Sequence, residues 1–459
     1  MIQTIRKAWG IPELRKKIVF TLLILLIFRI GNAITVPYIN TAALKAQLDA
    51  MGSTYFGLLN TMSGGAFSMA TVFALSIQPY INSSIIIQLL TVAIPYLERL
   101  AREGGEEGRK KIQSITRYTT VGIAVLQALG YYFLIKRYNL LEAGAEGIWP
   151  ALVMIVTLVA GSSFVMWMGE QITEFGVGNG ISMILFAGII ARVPSMIGGM
   201  INGIKLWSAK RAGEVTVETL TSIGYSETAA EQYLKTALAP WAIILLVVGI
   251  LVLIAFIVFI SDAERRIPVQ YAKRQVGRRM YGGQSSNLPM KVNMSGVLPV
   301  IFAQSIVSIP ATVMALTGTG TQEGTFSYAL RNFLDSKSLV YMFLYALLII
   351  GFSYFYSSIQ FNPVEIANNL KKQGGFIPGF RPGKPTVDFI KKVLNKITLF
   401  GAIYLGIVAI LPLLLGKIAG SSSMSIGGTS VIIVVGVALE TVKALDTQML
   451  MRQYKGFLE

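Results

Sequence analysis

The sequence predicts an all-α polytopic membrane protein with ten transmembrane helices. Three observations lead to this class. The 459 residues are 53% hydrophobic and 14% charged, whereas ordinary soluble domains are about 25% charged. Ten apolar stretches are long enough to cross a bilayer, which takes about 20 residues. Basic residues concentrate in alternate connecting segments, as they do in the cytoplasmic loops of membrane proteins.

The predicted spans follow a short N-terminal segment. Residues 1–17 mix isoleucine and tryptophan with arginine and lysine, which is typical of a helix lying on the inner membrane surface. Residues 447–459 form a tail after the last span. The ten spans are 18–38, 71–95, 114–135, 149–168, 179–200, 240–261, 294–316, 338–360, 397–416 and 427–446.

The distribution of lysine and arginine predicts that both termini are cytoplasmic. The N-terminal segment and the long loops 262–293 and 361–396 are rich in both residues, and the connections on the other side hold far fewer. This bias explains the net charge of +17, which is also compatible with a nucleic-acid partner. The inner connection 168–178 is an exception, because it has no basic residue but contains Glu170 and Glu174.

The stretch from Gly57 to Leu97 organises the rest of the chain. It begins with a glycine-rich insert, residues 57–68, that is too short and too polar to span a bilayer. A helix is predicted after it, from about Ser68 to Pro95. Irregular backbone at membrane depth is tolerated only where it is buried in protein or lines a watery cavity. The insert therefore predicts a cavity within the helical bundle.

Two long inner loops carry the other local structure. Apolar residues alternate from Ile267 to Tyr271, which favours a short β-hairpin in the loop 262–293. The loop 361–396 predicts a short helix that begins near Pro363 and stops at Gly374–Gly375. The basic residues of these loops either fix the membrane orientation or dock an acidic or RNA-bearing partner.

Residues that carry catalysis or bind metals are scarce. The chain has no histidine and no cysteine, so thiol chemistry and cysteine or histidine metal sites are excluded. The sequence also has no phosphate-binding loop or nucleophile elbow. The prediction is a protein that is not an enzyme and uses no metal or other cofactor. The external segment 201–239 is polar and carries no recognisable motif.

Four charged residues fall within the predicted spans, namely Arg29, Arg192, Glu440 and Lys443. All lie near the ends of their spans, and the favoured interpretation is that they extend to the lipid headgroups. No carboxylate stands in the middle of a span to carry a proton, which disfavours a proton-coupled carrier. The glycine-rich run GVGNG at 176–180 precedes a membrane helix and is interpreted as a tight turn.

Polar but uncharged residues mark the second and seventh spans. They form either ordinary hydrogen bonds between helices or a seam between two helices that can part. The residues are Gln78, Asn82, Ser83, Ser84, Gln88 and Thr91 on the second span, and Gln304, Ser305 and Ser308 on the seventh.

At these residues the chain resembles the SecY family, whose members are the central subunit of the bacterial protein-conducting channel. The resemblance covers nearly the whole chain. Asn82 and Gln304 stand where the family favours small residues, and Leu185 stands where isoleucine is common. The matching stretches, in family order, are SGGAFSMATVFALSIQPYINSSIIIQLL, GNGISMILFAGI, VNMSGVLPVIFAQSI, GGFIPGFRPG and GGTSVIIVVGVALE.

The resemblance implies two five-helix halves, 18–200 and 240–446, related by inverted pseudo-symmetry around an hourglass pore. It implies that the insert is a plug in the outer funnel. Small residues suit an element that packs loosely and can leave its place. The plug residues are Gly57, Ser63, Gly64, Gly65 and Ala66.

The resemblance also implies a constriction, called here the aliphatic ring. Branched aliphatic side chains resist water and ions, and they offer no fixed hydrogen bond to a passing polypeptide. Positions 81 and 85, and positions 181 and 185, are four residues apart, so each pair shares one helix face. The ring consists of Ile81, Ile85, Ile181, Leu185, Ile301 and Ile433.

Two further sites follow from the resemblance. A lateral gate would lie between spans 2–3 and spans 7–8, and a docking surface would lie on the two basic loops, with Arg381 at the tip of the second. The gate residues are Gln88, Thr91, Gln304, Ser305 and Ser308. The docking residues are Arg381, Lys273, Arg274, Arg278 and Arg279.

The implied function is passage of unfolded secretory polypeptides across the bacterial cytoplasmic membrane, with sideways release of transmembrane segments into lipid. The implied partners are the SecE and SecG subunits, the SecA ATPase or the ribosome, signal peptides, unfolded preproteins and membrane lipid. Two alternatives remain open, a secondary transporter of a small solute and a membrane scaffold or insertase-like protein without a pore.

Overall fold

The computed structural model is predominantly helical. Among the predicted site residues, Gly57, Lys273 and Arg278 lie outside the part of the chain that it describes. The described residues are 2–51, 59–102, 104–142, 144–145, 147–213, 215–216, 219, 239–271, 274–276, 279–281, 285–294, 296–317, 338–418 and 427–455.

Helices with short connections make up the first half of the chain. They are α1 (Ile2–Trp9), α2 (Pro12–Gly31), α3 (Thr41–Met51), α4 (Gln78–Ala93), α5 (Pro95–Arg102), α6 (Gly105–Arg137), α7 (Ile148–Phe175), α8 (Gly180–Ala191) and α9 (Val193–Arg211).

The second half combines helices with short strands. The helices are α10 (Pro240–Asp262), α11 (Leu298–Thr317), α12 (Leu339–Gln360), α13 (Pro363–Lys372), α14 (Lys384–Ile418) and α15 (Gly427–Lys455). The strands are β1 (Glu264–Tyr271), β2 (Arg274–Val276), β3 (Arg279–Tyr281), β4 (Ser285–Lys291) and β5 (Gly375–Phe376).

Several of these helices can cross a membrane. Helices α4 and α5 are apolar enough only when they are taken together. They are bent by 105° where they meet, and as one broken span they would add a seventh to the six given below. The result confirms a multi-pass helical membrane protein, and α2, α11 and α15 also overlie predicted spans. By length and composition, six helical runs in the described residues qualify on their own: Gly105–Arg137, Ile148–Phe175, Gly180–Arg211, Pro240–Asp262, Leu339–Lys372 and Lys384–Leu411.

The start of the second predicted span is corrected by the structure. The sequence predicts a helix from about Ser68, but residues 63–77 form successive turns and α4 begins only at Gln78. Pro79 therefore lies in the first helical turn, where its missing N–H needs no partner. Ala70 has φ of +47°, a left-handed conformation that a continuous right-handed helix cannot contain.

Local side-chain bonds determine where two helices begin. The Asn179 side chain accepts hydrogen bonds from the backbone N–H groups of Ile181 at 3.0 Å and Ser182 at 3.4 Å, which caps α8. Gly178, with φ of +73°, makes the turn before it, so the predicted turn in GVGNG is confirmed. Asn362 caps α13 in the same way before the proline at its first position.

The loops 262–293 and 361–396 fold together into a small α/β unit in their described residues. Strand β1 pairs antiparallel with β4, with Ile267 opposite Leu288, and with β5, with Tyr271 opposite Gly375. Ile267 and Val269 are 3% and 2% exposed and pack on α13 and α14. The predicted alternation is therefore confirmed, and the predicted helix after residue 361 is confirmed as α13.

The two halves of the chain meet along α15. This helix packs against α8 of the first half and against α10 of the second. At its C-terminal end, Leu445 shares a hydrophobic cluster with Ala8 and Leu14 from the N-terminal helices and with Val177 from the turn before α8. The N-terminal helix α1 therefore contacts a helix of the opposite half.

Glycine allows α7 and α8 to cross at close range. A Cβ atom on Gly180 would overlap the carbonyl oxygen of Gly169 and lie 2.7 Å from Cβ of Ile172. Small residues at such contacts let membrane helices approach closely, and the resulting van der Waals packing holds them together.

Replacing Gly180 by valine should therefore destabilise the first half of the chain. We expect a loss of at least about 1–3 kcal/mol in the free energy of unfolding, measured by thermal unfolding in detergent. Gly198→Val is the matched control, because no atom lies within 4 Å of a Cβ atom at that glycine. Equal melting of the two variants would contradict the prediction.

Candidate functional site

The six residues of the aliphatic ring come from four helices of both halves. Helix α4 carries two of them, α8 carries two, and α11 and α15 carry one each. Five are between 3% and 8% exposed and belong to one hydrophobic cluster. Ile181 is half-buried and packs against that cluster. The structure thus brings together side chains that are up to 352 positions apart, from Ile81 to Ile433.

One face of α4 points into this cluster. Ile85 is 4% exposed, whereas the adjacent Ile86 is 42% exposed. Ile81 is buried on the same face as Ile85, as their spacing of four predicts. The ring residues of α4 therefore pack inside the protein rather than against lipid.

A small cavity touches both the ring and the insert. Its volume is about 20 Å³, which is room for one water molecule. The space between the halves at this point is therefore too narrow for a polypeptide. Its lining includes Met62, Gln78, Ile301, Gln304, Ser305 and Ser430.

The described part of the insert, residues 59–68, is folded through its own hydrogen bonds. The backbone N–H of Gly65 donates to the carbonyl oxygen of Asn60 at 2.7 Å, and that of Ser68 donates to Oδ1 of Asn60 at 3.0 Å. The backbone N–H of Phe67 donates to the Ser63 hydroxyl at 3.2 Å. These bonds satisfy backbone groups that have no helix or sheet partner.

The insert also packs closely against the surrounding helices. Ala66 is 1% exposed, and the hydroxyl of Tyr131 donates to the carbonyl oxygen of Phe67 at 2.8 Å. A Cβ atom on Gly188 would overlap the carbonyl oxygen of Met62. The expectation that the insert packs loosely is therefore wrong: its small residues permit backbone-to-backbone contact.

The α4 residues of the predicted gate form hydrogen bonds that are local to their own helix. The Gln88 amide donates to the Ser84 hydroxyl at 3.5 Å, and the Thr91 hydroxyl donates to the carbonyl oxygen of Gln88 at 2.6 Å. Both bonds stay within α4. Gln304 and Ser305 lie on α11 and line the cavity. The position of Ser308 lies on α11, and its side chain is outside the described part.

Arg381 lies on the exposed surface of the loop 361–396, as its predicted position at a turn tip requires. Gly379 and Gly383 flank it with φ of +86° and +114°. The hydroxyl of Thr386 donates to the carbonyl oxygen of Arg381 at 2.8 Å, which fixes the turn against α14. Arg274 lies in β2 and Arg279 lies in β3, and only the backbone of each is described.

Charged residues near the ends of spans do not all extend to lipid headgroups. Arg29 donates to the carbonyl oxygen of Gly64 and Arg192 donates to the hydroxyl of Thr61. Lys443 forms an ion pair with Asp262 at 2.7 Å. The interpretation as headgroup contacts is therefore wrong for these three side chains, which bind protein groups instead.

Glu170, an apparent exception to the charge rule, also has a partner. It lies near the C-terminal end of α7 and accepts from Nε of Arg117 at 2.8 Å and from the amide of Gln113 at 3.2 Å. The ion pair joins α6 to α7. Glu170 therefore has a structural role in joining these two helices.

Sequence reasoning missed Met62 and Ser430 beside the ring. Ser430 lies three residues before Ile433 on α15, so both share a helix face, and that spacing could have identified it. No comparable signal exists for Met62, which reaches the cavity only through the turns of the insert. Within the described residues, no group of three acidic, histidine or cysteine side chains could hold a metal ion.

Comparison with known proteins identifies this architecture. The family model for SecY matches residues 71–442. The chain belongs to the SecY family. Protein translocase subunit SecY of Streptomyces scabiei is 42% identical over 469 residues, with 100% of both chains covered. The SecY subunit of Aquifex aeolicus is 38% identical over 462 residues, again with 100% of both covered.

Solved structures of protein-conducting channels share the fold. One is a SecY structure whose plug domain stabilises the closed state of the translocation channel and maintains a membrane seal. It has a TM-score of 0.62 and 16% identity, with 95% of this chain and 92% of that chain covered. Another is Sec61 in the canine ribosome-channel complex from the endoplasmic reticulum, with a TM-score of 0.55, 15% identity and the same coverage.

Proposed function

We propose that this SecY-family chain is the channel-forming subunit of a protein translocase in the bacterial cytoplasmic membrane. It passes unfolded polypeptides through the aliphatic ring and releases transmembrane segments sideways into lipid. One observation supports the proposal above all: four helices from both halves bring branched aliphatic side chains into one buried cluster beside the insert.

The ring provides the seal. Its side chains offer neither charge nor hydrogen bonds, so a narrow space between them excludes water and ions. The same chemistry makes the ring indifferent to the sequence of a passing polypeptide, because no side chain finds a specific partner there. Widening requires only that the helices move apart, since no ring residue is bonded to another.

The insert is the plug of this channel. It lies against the ring cluster through Met62, and a plug domain maintains the membrane seal in a SecY structure of similar fold. In the closed state the plug covers the ring from outside. For transport it leaves this position, and Gln88, Thr91, Gln304 and Ser305 line the lateral gate through which apolar segments enter lipid.

The membrane arrangement follows from the ten predicted spans. Two five-helix halves with both termini in the cytoplasm place the small α/β unit and Arg381 on the inner side. There they form a docking surface for the SecA ATPase or the ribosome, which supplies the driving energy. SecE and SecG are the partner subunits within the membrane.

Crosslinking a trapped polypeptide to the ring tests this function. A photoreactive amino acid placed at position 85 should crosslink a stalled secretory chain at least about tenfold more often than one placed at position 86. The reason is that Ile85 faces the ring and Ile86 faces away from it. The crosslinks are measured by immunoprecipitation of the stalled chain.

Other outcomes would favour the alternatives. Equal crosslinking at both positions would contradict a central pore and favour a scaffold. Uptake of a small solute by the purified protein, driven by an ion gradient, would instead favour a secondary transporter.

A further inference from the structure

Two arginines from different helices bind the insert, and neither belongs to the ring or the gate. We infer that Arg29 and Arg192 are positioning residues that latch the insert in its seat and so set how readily the channel opens. This latch rests on the proposed function, because it presupposes that the insert must leave for transport.

The two arginines contact different residues of the insert from different helices. Nη1 of Arg29, in the last turn of α2, donates to the carbonyl oxygen of Gly64 at 3.3 Å. Nη1 of Arg192, at the junction of α8 and α9, donates to the hydroxyl of Thr61 at 3.0 Å. The insert is therefore tied to two separate helices of the first half, and both ties must break when it moves.

Asn32 adds a third contact next to Arg29. Its side-chain amide donates to the carbonyl oxygen of Ser63 at 3.2 Å, and the residue is 6% exposed. Two of the three acceptors are thus main-chain carbonyl groups, which are present whatever side chains the insert carries. The latch therefore depends mainly on the backbone path of the insert, and only the contact from Arg192 needs a particular side chain, the Thr61 hydroxyl.

Glycine holds that backbone path within reach of the latch. Gly64 has φ of +70°, and a Cβ atom there would lie 3.1 Å from the carbonyl oxygen of Gly188. Backbone therefore packs directly on backbone at this point. The close approach presents the Gly64 carbonyl group to Arg29.

Arginine suits this role for two reasons. Its guanidinium group stays charged and carries five N–H donors in a rigid plane, so it can bond a carbonyl oxygen and water together. A positive charge in the last turn of α2 is also favourable, because the C-terminal end of a helix carries partial negative charge. The charge of Arg29 is therefore favourable at this end of α2.

Loss of both ties should shift the insert away from its seat. A hydrogen bond from a charged donor is worth roughly tenfold in an equilibrium constant after exchange with water. Arg29 is exposed to solvent, so its bond contributes at the low end of that range. The double replacement should therefore raise the unseated fraction by at least about tenfold.

A single thiol measures this movement directly. The chain has no cysteine, and Met62 is 6% exposed in the seated insert. Full-length protein that carries Met62→Cys is placed in lipid vesicles and treated, on the insert side, with a membrane-impermeant maleimide. Adding Arg29→Gln and Arg192→Gln together should raise the labelling rate about tenfold or more. An unchanged rate overturns the latch.

Two controls separate release of the insert from general loosening. Arg211→Gln removes an external arginine that stacks over Trp207 at 5.4 Å, and it should leave the labelling rate of Met62→Cys unchanged. Leu405→Cys puts a thiol at a position that is 1% exposed in the second half. Faster labelling at that position in the double arginine variant would mean unfolding and would overturn the latch.

The crosslinking experiment keeps the two proposals apart. If a trapped polypeptide crosslinks at position 85 while the double arginine variant leaves the labelling of Met62→Cys unchanged, the result would support the channel function and contradict the latch. If labelling rises in the double arginine variant but no polypeptide crosslinks at position 85, the arginines hold the insert but the channel function is contradicted.

Discussion

Replacing Ile85 by asparagine is expected to make the closed channel leak ions. Ile85 is 4% exposed and packs with Ile81, Leu185, Ile301 and Ile433 in one cluster. An amide at this point binds water and lets a continuous hydrated path form through a constriction that aliphatic side chains keep dry. We expect the ion conductance of the resting channel in a planar bilayer to rise about tenfold or more.

The adjacent residue provides a matched control. Ile86→Asn makes the same chemical change on the same helix, but Ile86 is 42% exposed on another face. Its conductance should stay at the level of the unchanged protein. Equal conductance in the two variants would contradict the assignment of the ring. The Ile85→Asn channel should also pass polypeptides with weak signal sequences, because less energy is needed to open it.

Reversing the charge of Arg381 is expected to block transport without affecting assembly. The side chain is exposed at the tip of a turn that Gly379 and Gly383 shape and that the Thr386 hydroxyl fastens to α14. A glutamate there repels an acidic or phosphate-bearing partner at the point of contact. We expect polypeptide transport into vesicles to fall at least about tenfold, while thermal unfolding in detergent stays unchanged.

Lys384→Glu is the control for Arg381→Glu. Lys384 begins α14 just after the same turn and is also exposed, so reversal there changes the net charge of the surface equally. A contact specific to Arg381 should make the Lys384 variant several-fold more active than the Arg381 variant. Equal transport by the two variants would mean that the loss of transport comes from the overall charge of the surface. Arg381 would then not belong to the docking site.

Much of the fold and part of the site could be predicted from local patterns. Hydropathy located the helices because about 20 apolar residues are needed to cross a bilayer wherever they occur. A spacing of four placed Ile81 and Ile85 on one face of α4, and both are buried. Alternation predicted a strand at Ile267 and Val269, and the proline at 363 predicted the start of α13.

Other features could not be predicted, because they depend on contacts between distant segments. The turns at 63–77 are stabilised by pairing with residues near Val36, whose N–H donates to the carbonyl oxygen of Ala70 at 2.8 Å. Without that partner, the apolar composition of 68–77 favours a continuous helix. The close packing of the insert likewise depends on Gly188, which lies more than 120 positions further along the chain.

The sequence by itself determined the membrane class and the position of most helices, since both depend on composition or on a period of a few residues. The ring residues were implied by the resemblance to the SecY family. Only the tertiary structure decided what the charged residues bind. Arg192 and Thr61 are 131 positions apart and Arg29 and Gly64 are 35 apart. Neither pairing leaves a local signal in the sequence, because both partners are distant along the chain. The acceptor for Arg29 is moreover a backbone carbonyl oxygen, a group that every residue carries.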